Sequence, residues 1–228
     1  MNHSARRLNA LAAQLGARRY LEIGVNNGVT FRDVEIAERT GVDPKFLFDT
    51  SELVNDFTRL IPTTSDEFFA SEPLFPPYDL VFIDGLHTFE QVVRDFSNTL
   101  LRTHRQSAVM LDDTIPNDVY SAIPDQHAAL RHRTATGSND GSWMGDVFKT
   151  VFYIHDFWPS LNYRTIIGSG NPQTLVWRAN HMRRQPVFNS LERISRLTYF
   201  DLQEHLEVLQ TSTEDEAISL CVTESKTL

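Results

Sequence analysis

The sequence predicts an α/β fold built on a mostly parallel sheet. Three observations carry this. A short apolar strand at residues 19–23 runs through a glycine turn into a helix-like segment. A second apolar strand, residues 78–84, ends on an acid and is followed by an amphipathic helix. Strand and helix patterns alternate between and beyond them, which is the signature of strands joined by helical crossovers.

Residues 5–17 place Leu8, Leu11, Ala12 and Leu15 at helical spacing. The strand 19–23 then stops at Gly24, and Gly28 follows four residues later. Glycine lacks a Cβ and lets backbone N–H groups approach a ligand closely. A helix is expected over 29–38 and a strand over 40–43, ending on Asp43. An acid at a second strand tip can accept hydrogen bonds from both hydroxyls of a ribose; the other reading of Asp43-Pro44 is a turn. The crossover 44–58 is irregular, 59–63 reads as a third strand and 65–70 as a short helix, and Pro73, Pro76 and Pro77 break the chain. Residues 78–84 are apolar without alternation, as in a strand covered on both faces. The helix 87–102 aligns Phe89, Val93, Phe96 and Leu100 on one face, and 107–111 is the next strand. Residues 114–142 are polar and contain proline and glycine, which suits a lid or substrate loop. A helix over 143–158 and a hairpin of strands 163–167 and 174–177, joined by Gly-Ser-Gly-Asn-Pro, close the sheet. One amphipathic helix is expected over 187–209.

Bulk properties narrow the function. The 228 residues suffice for one large domain, 41% of them are hydrophobic, and no apolar run reaches membrane-span length. A single cysteine, Cys221, in a polar tail, fits a reducing cytoplasm. The net charge of −9 argues against nucleic acid as the main partner. Residues 201–228 carry seven acids against one lysine, and 178–196 carry five arginines against one acid. These read as a solvated helix followed by a loose acidic tail, or as a basic segment packed on an acidic partner or on the second subunit of a homodimer. The division expected is a domain over 1–186 and a C-terminal helix and acidic tail over 187–228.

Two acidic clusters fall at neighbouring strand tips, Asp84-Gly85-Leu86-His87 and Asp112-Asp113. In a parallel sheet these ends face one crevice. Asp84, Asp112 and Asp113 can converge there, and a divalent cation (Mg²⁺, Ca²⁺ or Mn²⁺) would neutralise them. Adjacent strand residues point to opposite faces, so Asp112 and Asp113 both ligate only where the strand has ended and the backbone turns. His87 opens a helix beside these acids, where an imidazole can accept a proton from a hydroxyl or simply meet solvent. Asp146 and Lys149 share a helix face, as an ion pair or as groups that reach over the crevice to a substrate.

The pattern Glu22-x-Gly24-x-x-x-Gly28 resembles the first motif of class I S-adenosylmethionine-dependent methyltransferases. Asp84-Gly-x-His87, Asp112-Asp113 and Gly145-Asp-Val-x-Lys149 resemble bacterial small-molecule and sugar O-methyltransferases, including metal-dependent macrocin-type enzymes acting on deoxysugars of antibiotics. The resemblance covers roughly residues 18–178. It implies a Rossmann-like, seven-stranded, mostly parallel sheet with an antiparallel terminal hairpin, and transfer of a methyl group from S-adenosylmethionine to a small-molecule hydroxyl. Glu22, Gly24, Asn26, Gly28 and Thr30 would line the donor site with Asp43 and Asp84, and Ser65 or Asp66 would meet the adenine amine. Asp84, Asp112 and Asp113 match three Mg²⁺-binding aspartates. Where the sugar enzymes carry an Asp-Gly-Asp whose second aspartate is the proposed base, this chain has Leu86, which moves the expected base to His87, with Asp84 and Lys149 beside it. Competing readings are a metal-independent N- or carboxyl-methyltransferase, an NAD dehydrogenase, and a non-catalytic cofactor-binding protein. The missing third glycine of G-x-G-x-x-G and the terminal hairpin count against the dehydrogenase.

Overall fold

The computed structural model describes residues 2–71, 76–180 and 184–227; Pro73, His181 and Arg183 lie outside them. A mixed sheet holds the structure together. Its strands are β1 (Arg19–Ile23), β2 (Glu38–Asp43), β3 (Thr58–Pro62), β4 (Tyr78–Ile83), β5 (Thr103–Leu111), β6 (Leu161–Ile166), β7 (Gln173–Arg178) and β8 (Thr211–Ser212). They lie in the order β3-β2-β1-β4-β5-β7-β6-β8. The first five are parallel, β7 runs antiparallel to β5 and β6, and β8 pairs parallel with β6. The strand order reverses between β1 and β4, so the tips of β1, β2, β4 and β5 open onto one crevice.

The helices are α1 (His3–Leu15), α2 (Val29–Asp33), α3 (Ser65–Ser71), α4 (Phe89–Leu100), α5 (Gln126–Ala135), α6 (Phe148–Phe157), α7 (Leu191–Ser195), α8 (Tyr199–Glu204) and α9 (Glu214–Ser225). Strand alternation divides the core in two. Leu21, Ile23, Val81, Ile83, Val109 and Leu111 pack on one face with α4 and α6. Tyr20, Leu80, Phe82, Ala108, Met110 and Trp177 pack on the other with α1 and α9. Both faces are covered, which is why these strands read as continuous apolar runs.

Several expected elements differ. The helix expected over 29–38 ends at Asp33; Val34 is extended, and Arg39 Nη1 donates to the carbonyls of Phe31 and Val34 at 3.0 Å each. The guanidinium so satisfies orphan carbonyls at that helix end. The helix expected over 187–209 is three short pieces. Ser190 caps α7, a Thr198–Asp201 capping box starts α8, and a 3₁₀ turn covers Leu206–Leu209. Their apolar residues Ile194, Leu202, Val208 and Leu209 all reach the core, and this produces the helical periodicity. The acidic tail is not loose. Three of its seven acids, Glu214, Asp215 and Glu216, occupy the first turn of α9, where the helix dipole favours negative charge, and a Thr213–Glu216 box caps it. Buried Ala217, Ile218, Cys221 and Val222 join the core, so Cys221 is an interior residue rather than one in a polar tail. An eighth, two-residue strand at the edge exceeds the seven expected.

Candidate active site

The turn after β1 is built for close approach. Gly24 has φ +89°, and a Cβ there would lie 2.0 Å from the Asp84 carbonyl oxygen. Gly24 N–H donates to Val42 and Asp84 N–H donates to Ile23, at 2.9 and 2.8 Å, joining the tips of β1, β2 and β4. Asn26 takes the left-handed conformation, φ 49°, and its N–H donates to Asp43 Oδ2 at 2.8 Å. Lys45 N–H donates to Asp43 Oδ1 at 2.7 Å. The carboxylate is thereby fixed at the β2 tip with lone-pair positions to spare.

A cavity of about 350 Å³ opens above these tips, lined in part by Gly24, Asn26, Asp43, Ser65 and Asp84. The structure so brings together five of the residues expected at a donor site. It places the other four elsewhere. Glu22 is buried on the face of β1 that carries Tyr20, whose hydroxyl donates to it at 2.6 Å; burial drives its carboxyl well above the ordinary range. Thr30 Oγ1 accepts from Asn2 Nδ2 at 2.8 Å and ties α1 to α2. Gly28 backs onto Phe48, whose ring would lie 2.7 Å from a Cβ. Asp66 is exposed and pairs with Arg94 at 3.2 Å. Gln91 and Asp95, from α4, line the cavity without having been expected there. Gln91 Nε2 donates to Ser65 Oγ and to Asp95 Oδ1, each at 3.0 Å, and burial raises the Asp95 carboxyl to about 6. Their i, i+4 spacing is visible in the sequence, but only the packing of α3 on α4 turns the pair toward Ser65.

Beside this cavity lies the acidic centre. His87 Nε2 is 3.3 Å from Asp84 Oδ1, and Nδ1 is 3.1 Å from Asp113 Oδ2. The second approach lacks hydrogen-bond geometry, so Nδ1 is buried without a partner. Burial raises Asp84 to about 7; burial and the neighbouring Asp112 charge raise Asp113 to about 8. One ligand atom each from Asp84, His87 and Asp113 can be chosen within 4.8 Å of one another. Two desolvated carboxylates and an orphaned imidazole nitrogen fit a divalent cation, which would favour the charged carboxylates and the neutral imidazole.

Asp112 falls outside that cluster. Asp113 adopts φ 56°, so the backbone does turn, yet only Asp113 of the two joins Asp84 and His87. Asp112 Oδ1 accepts from Asp113 N–H at 2.9 Å and from Gln173 Nε2 at 3.2 Å. Burial and the Asp84 charge raise its carboxyl to about 7. Of the three aspartates expected to ligate together, Asp84 and Asp113 converge and His87 takes the third place.

Gly145 and Asp146 hold the loop that carries His87. Gly145 has φ +60°, and a Cβ there would lie 1.7 Å from the His87 carbonyl oxygen. Asp146 Oδ1 accepts from Phe89 N–H at 2.7 Å, at the start of α4. Its Oδ2 is 2.7 Å from Lys149 Nζ, which also donates to the Ser195 carbonyl at 2.8 Å. Both side chains are buried. Of the two arrangements expected for this pair, an ion pair or groups reaching over the crevice with Lys149 catalytic, the structure shows the ion pair, buried as an internal bracket between α4, α6 and α7 rather than on a helix surface. Asp146→Ala should therefore lower stability by about 3–5 kcal/mol, because it leaves a buried lysine unpaired; the urea midpoint measures this, and a change below 1 kcal/mol would contradict the bracket.

The segment 114–142 is folded rather than an open loop. It contains α5, and buried Arg133 bridges Asp118 at 2.8 Å and Asp140 at 3.0 Å. At its end Trp143 donates to the Ile123 carbonyl at 2.7 Å and stacks on His87, with centroids 4.9 Å apart and planes 11° apart. No helix among the described residues is long and apolar enough to cross a membrane.

Residues 21–114 match a family described as a methyltransferase domain. Search of curated proteins gave no match. Among solved structures, a Klebsiella pneumoniae protein provisionally described as an O-methyltransferase superposes with a TM-score of 0.57, at 16% identity over 78% of this chain and 80% of that one. The O-methyltransferase TomG of Streptomyces achromogenes, involved in tomaymycin synthesis and solved with S-adenosylmethionine, gives 0.53 at 17% identity over 76% and 78%. A Bacillus cereus O-methyltransferase solved with S-adenosylhomocysteine gives 0.52 at 16% identity over 75% and 78%. Residues 21–114 thus carry a methyltransferase-domain match, and the chain, with its antiparallel β5-β7-β6 segment, has the fold of the class I methyltransferases.

Proposed function

We propose that the chain transfers a methyl group from S-adenosylmethionine to a hydroxyl of a small molecule, a sugar or glycosylated natural product, with a divalent cation at Asp84, His87 and Asp113. One observation carries the reading: Asp84 lines the cavity and also belongs to the metal-type cluster. A donor in the cavity and an acceptor at the cluster would meet at that residue. The names of the similar structures, two of them solved with the donor or its demethylated product, support the same chemistry.

The chain's own groups divide the work. Asp43, preset by Asn26 and Lys45, is the acceptor for ribose hydroxyls, and Ser65 with Gln91 and Asp95 offers polar groups at the far wall. Gly24 leaves room for the donor's backbone-facing side. Leu86, 56% exposed at the rim, gives the acceptor an apolar flank. Asp84, Asp113 and His87 would hold the cation; its chemistry there is to lower the pKa of the acceptor hydroxyl and fix its position. A nitrogen in the donor set suits Mn²⁺ better than Ca²⁺.

Calorimetry with S-adenosylhomocysteine tests the donor site. Saturable binding is expected, weakened at least about tenfold in Asp43→Ala through loss of two charge-assisted hydrogen bonds. Binding of NAD in its place would overturn the reading. Methyl transfer that survives a chelator would leave the donor assignment standing and point to a metal-independent enzyme acting on an amine or carboxylate.

A further inference from the structure

The two aspartates at the β5 tip are gripped residue by residue by the turn that enters β7. Gln173 Nε2 donates to Asp112 Oδ1 at 3.2 Å, Asn171 Nδ2 donates to Asp113 Oδ1 at 2.9 Å, and the Pro172 carbonyl accepts from Thr114 N–H at 3.2 Å and Thr114 Oγ1 at 3.3 Å. Three consecutive residues, 171–173, so clasp three consecutive residues, 112–114. The clasp is anchored from behind by α1. Arg7, fully buried, donates to the Asn171 carbonyl at 2.7 Å, to Gln173 Oε1 at 2.8 Å and to the Ser169 carbonyl. Its Nε meets Glu214, the first residue of α9, at 3.2 Å. Ser4 accepts from Gln173 Nε2 at 2.7 Å.

The consequence is geometric. Asp113 sits at φ 56°, a conformation a non-glycine residue holds only when its surroundings fix it. Asn171 occupies one carboxylate oxygen, and the other faces His87 at 3.1 Å. Gln173 holds one oxygen of the neighbouring Asp112 carboxylate in a separate hydrogen bond. Partners of this kind orient ligating carboxylates, and their loss commonly costs 10–100-fold in metal affinity.

We infer that Asn171 is a positioning residue of the metal cluster, aiming Asp113 at His87, and that α1 and α9 hold it in place through Arg7. This rests on the proposed cation site and extends it to residues outside the crevice. Asn171 is itself exposed, so its truncation leaves the core intact. The test is calorimetric titration of the metal-free protein with Mn²⁺ alone, in wild type, Asn171→Ala and Asp84→Ala, with S-adenosylhomocysteine affinity and the melting curve measured in parallel. Wild type should bind saturably and Asp84→Ala should not. Asn171→Ala should raise the Mn²⁺ dissociation constant about 10-fold or more, with S-adenosylhomocysteine affinity and melting temperature unchanged. Equal Mn²⁺ affinity in wild type and Asn171→Ala would overturn the inference and leave the cation site standing. Failure of wild type to bind Mn²⁺ would overturn both, and a parallel loss of melting temperature and of S-adenosylhomocysteine binding would show Asn171 to be merely structural.

Discussion

Gly24→Ala is expected to lower stability by about 2–5 kcal/mol and to abolish donor binding. Two costs add. The left-handed backbone at φ +89° disfavours any residue with a Cβ by about 1–2 kcal/mol. The new Cβ would also stand 2.0 Å from the Asp84 carbonyl oxygen, and such overpacking typically adds about 1–3 kcal/mol. Relief requires the tips of β1 and β4 to part. That movement breaks the Asp84 N–H to Ile23 bond and shifts the Asp84 side chain, the residue shared by cavity and cluster. Gly137→Ala is the internal control. Gly137 also has positive φ, +74°, but nothing lies within 4 Å of its Cβ position, so only the backbone cost of about 1–2 kcal/mol applies. Urea midpoints of the two variants should differ clearly. Equal midpoints would mean that close strand approach is not what demands glycine at position 24.

That glycine was legible in the sequence because strand, turn and helix stand in order around it. The same holds for β4, whose apolar run needs no partner to be recognised: a strand covered on both faces shows it in its own composition. β5 was recognised only from Ser107 on. Its first residues, Thr103 to Gln106, are polar and largely exposed, and nothing local distinguishes them from a loop. α9 stayed hidden for a related reason. Its acids belong to a capped first turn, and Ala217, Ile218, Cys221 and Val222 become a buried face only against α1 and the β7 side of the sheet. Among site residues, Asp84 and His87 share one short turn, and their proximity follows from local geometry. The choice between Asp112 and Asp113 does not. It depends on the left-handed φ of Asp113 and on Asn171 and Gln173, some sixty residues further along, so no spacing rule at 112–113 could settle it. The ion pair of Lys149 with Asp146 follows from their spacing, but its burial does not, because the Ser195 carbonyl that Lys149 also meets comes from a distant helix.

His87→Ala should lower kcat by roughly 10²–10⁴-fold, and the metal dependence of that loss will show what the imidazole does. The sequence suggested a general base. The structure favours a ligand, because the ring is wedged between Asp84 and Asp113, stacked on Trp143, with Nδ1 buried and lacking a hydrogen-bond partner. Little freedom remains for a ring so held to swing toward a substrate and return a proton to solvent. As a ligand, His87 contributes to cation affinity, so the variant should bind Mn²⁺ at least about tenfold more weakly, in line with the cost of losing even an orienting partner. Raising Mn²⁺ to saturation should then restore part of kcat. Donor affinity should hold, since His87 does not line the cavity that Asp43 closes. A base behaves otherwise. Its removal leaves Mn²⁺ affinity intact, no metal concentration rescues kcat, and one ionisation disappears from the pH–rate profile. That pattern would return His87 to the role of base and leave the cation to Asp84 and Asp113 alone. Near-normal kcat with normal metal affinity would remove His87 from the chemistry altogether, and its stacking on Trp143 would then be a fold contact at the end of the 114–142 segment.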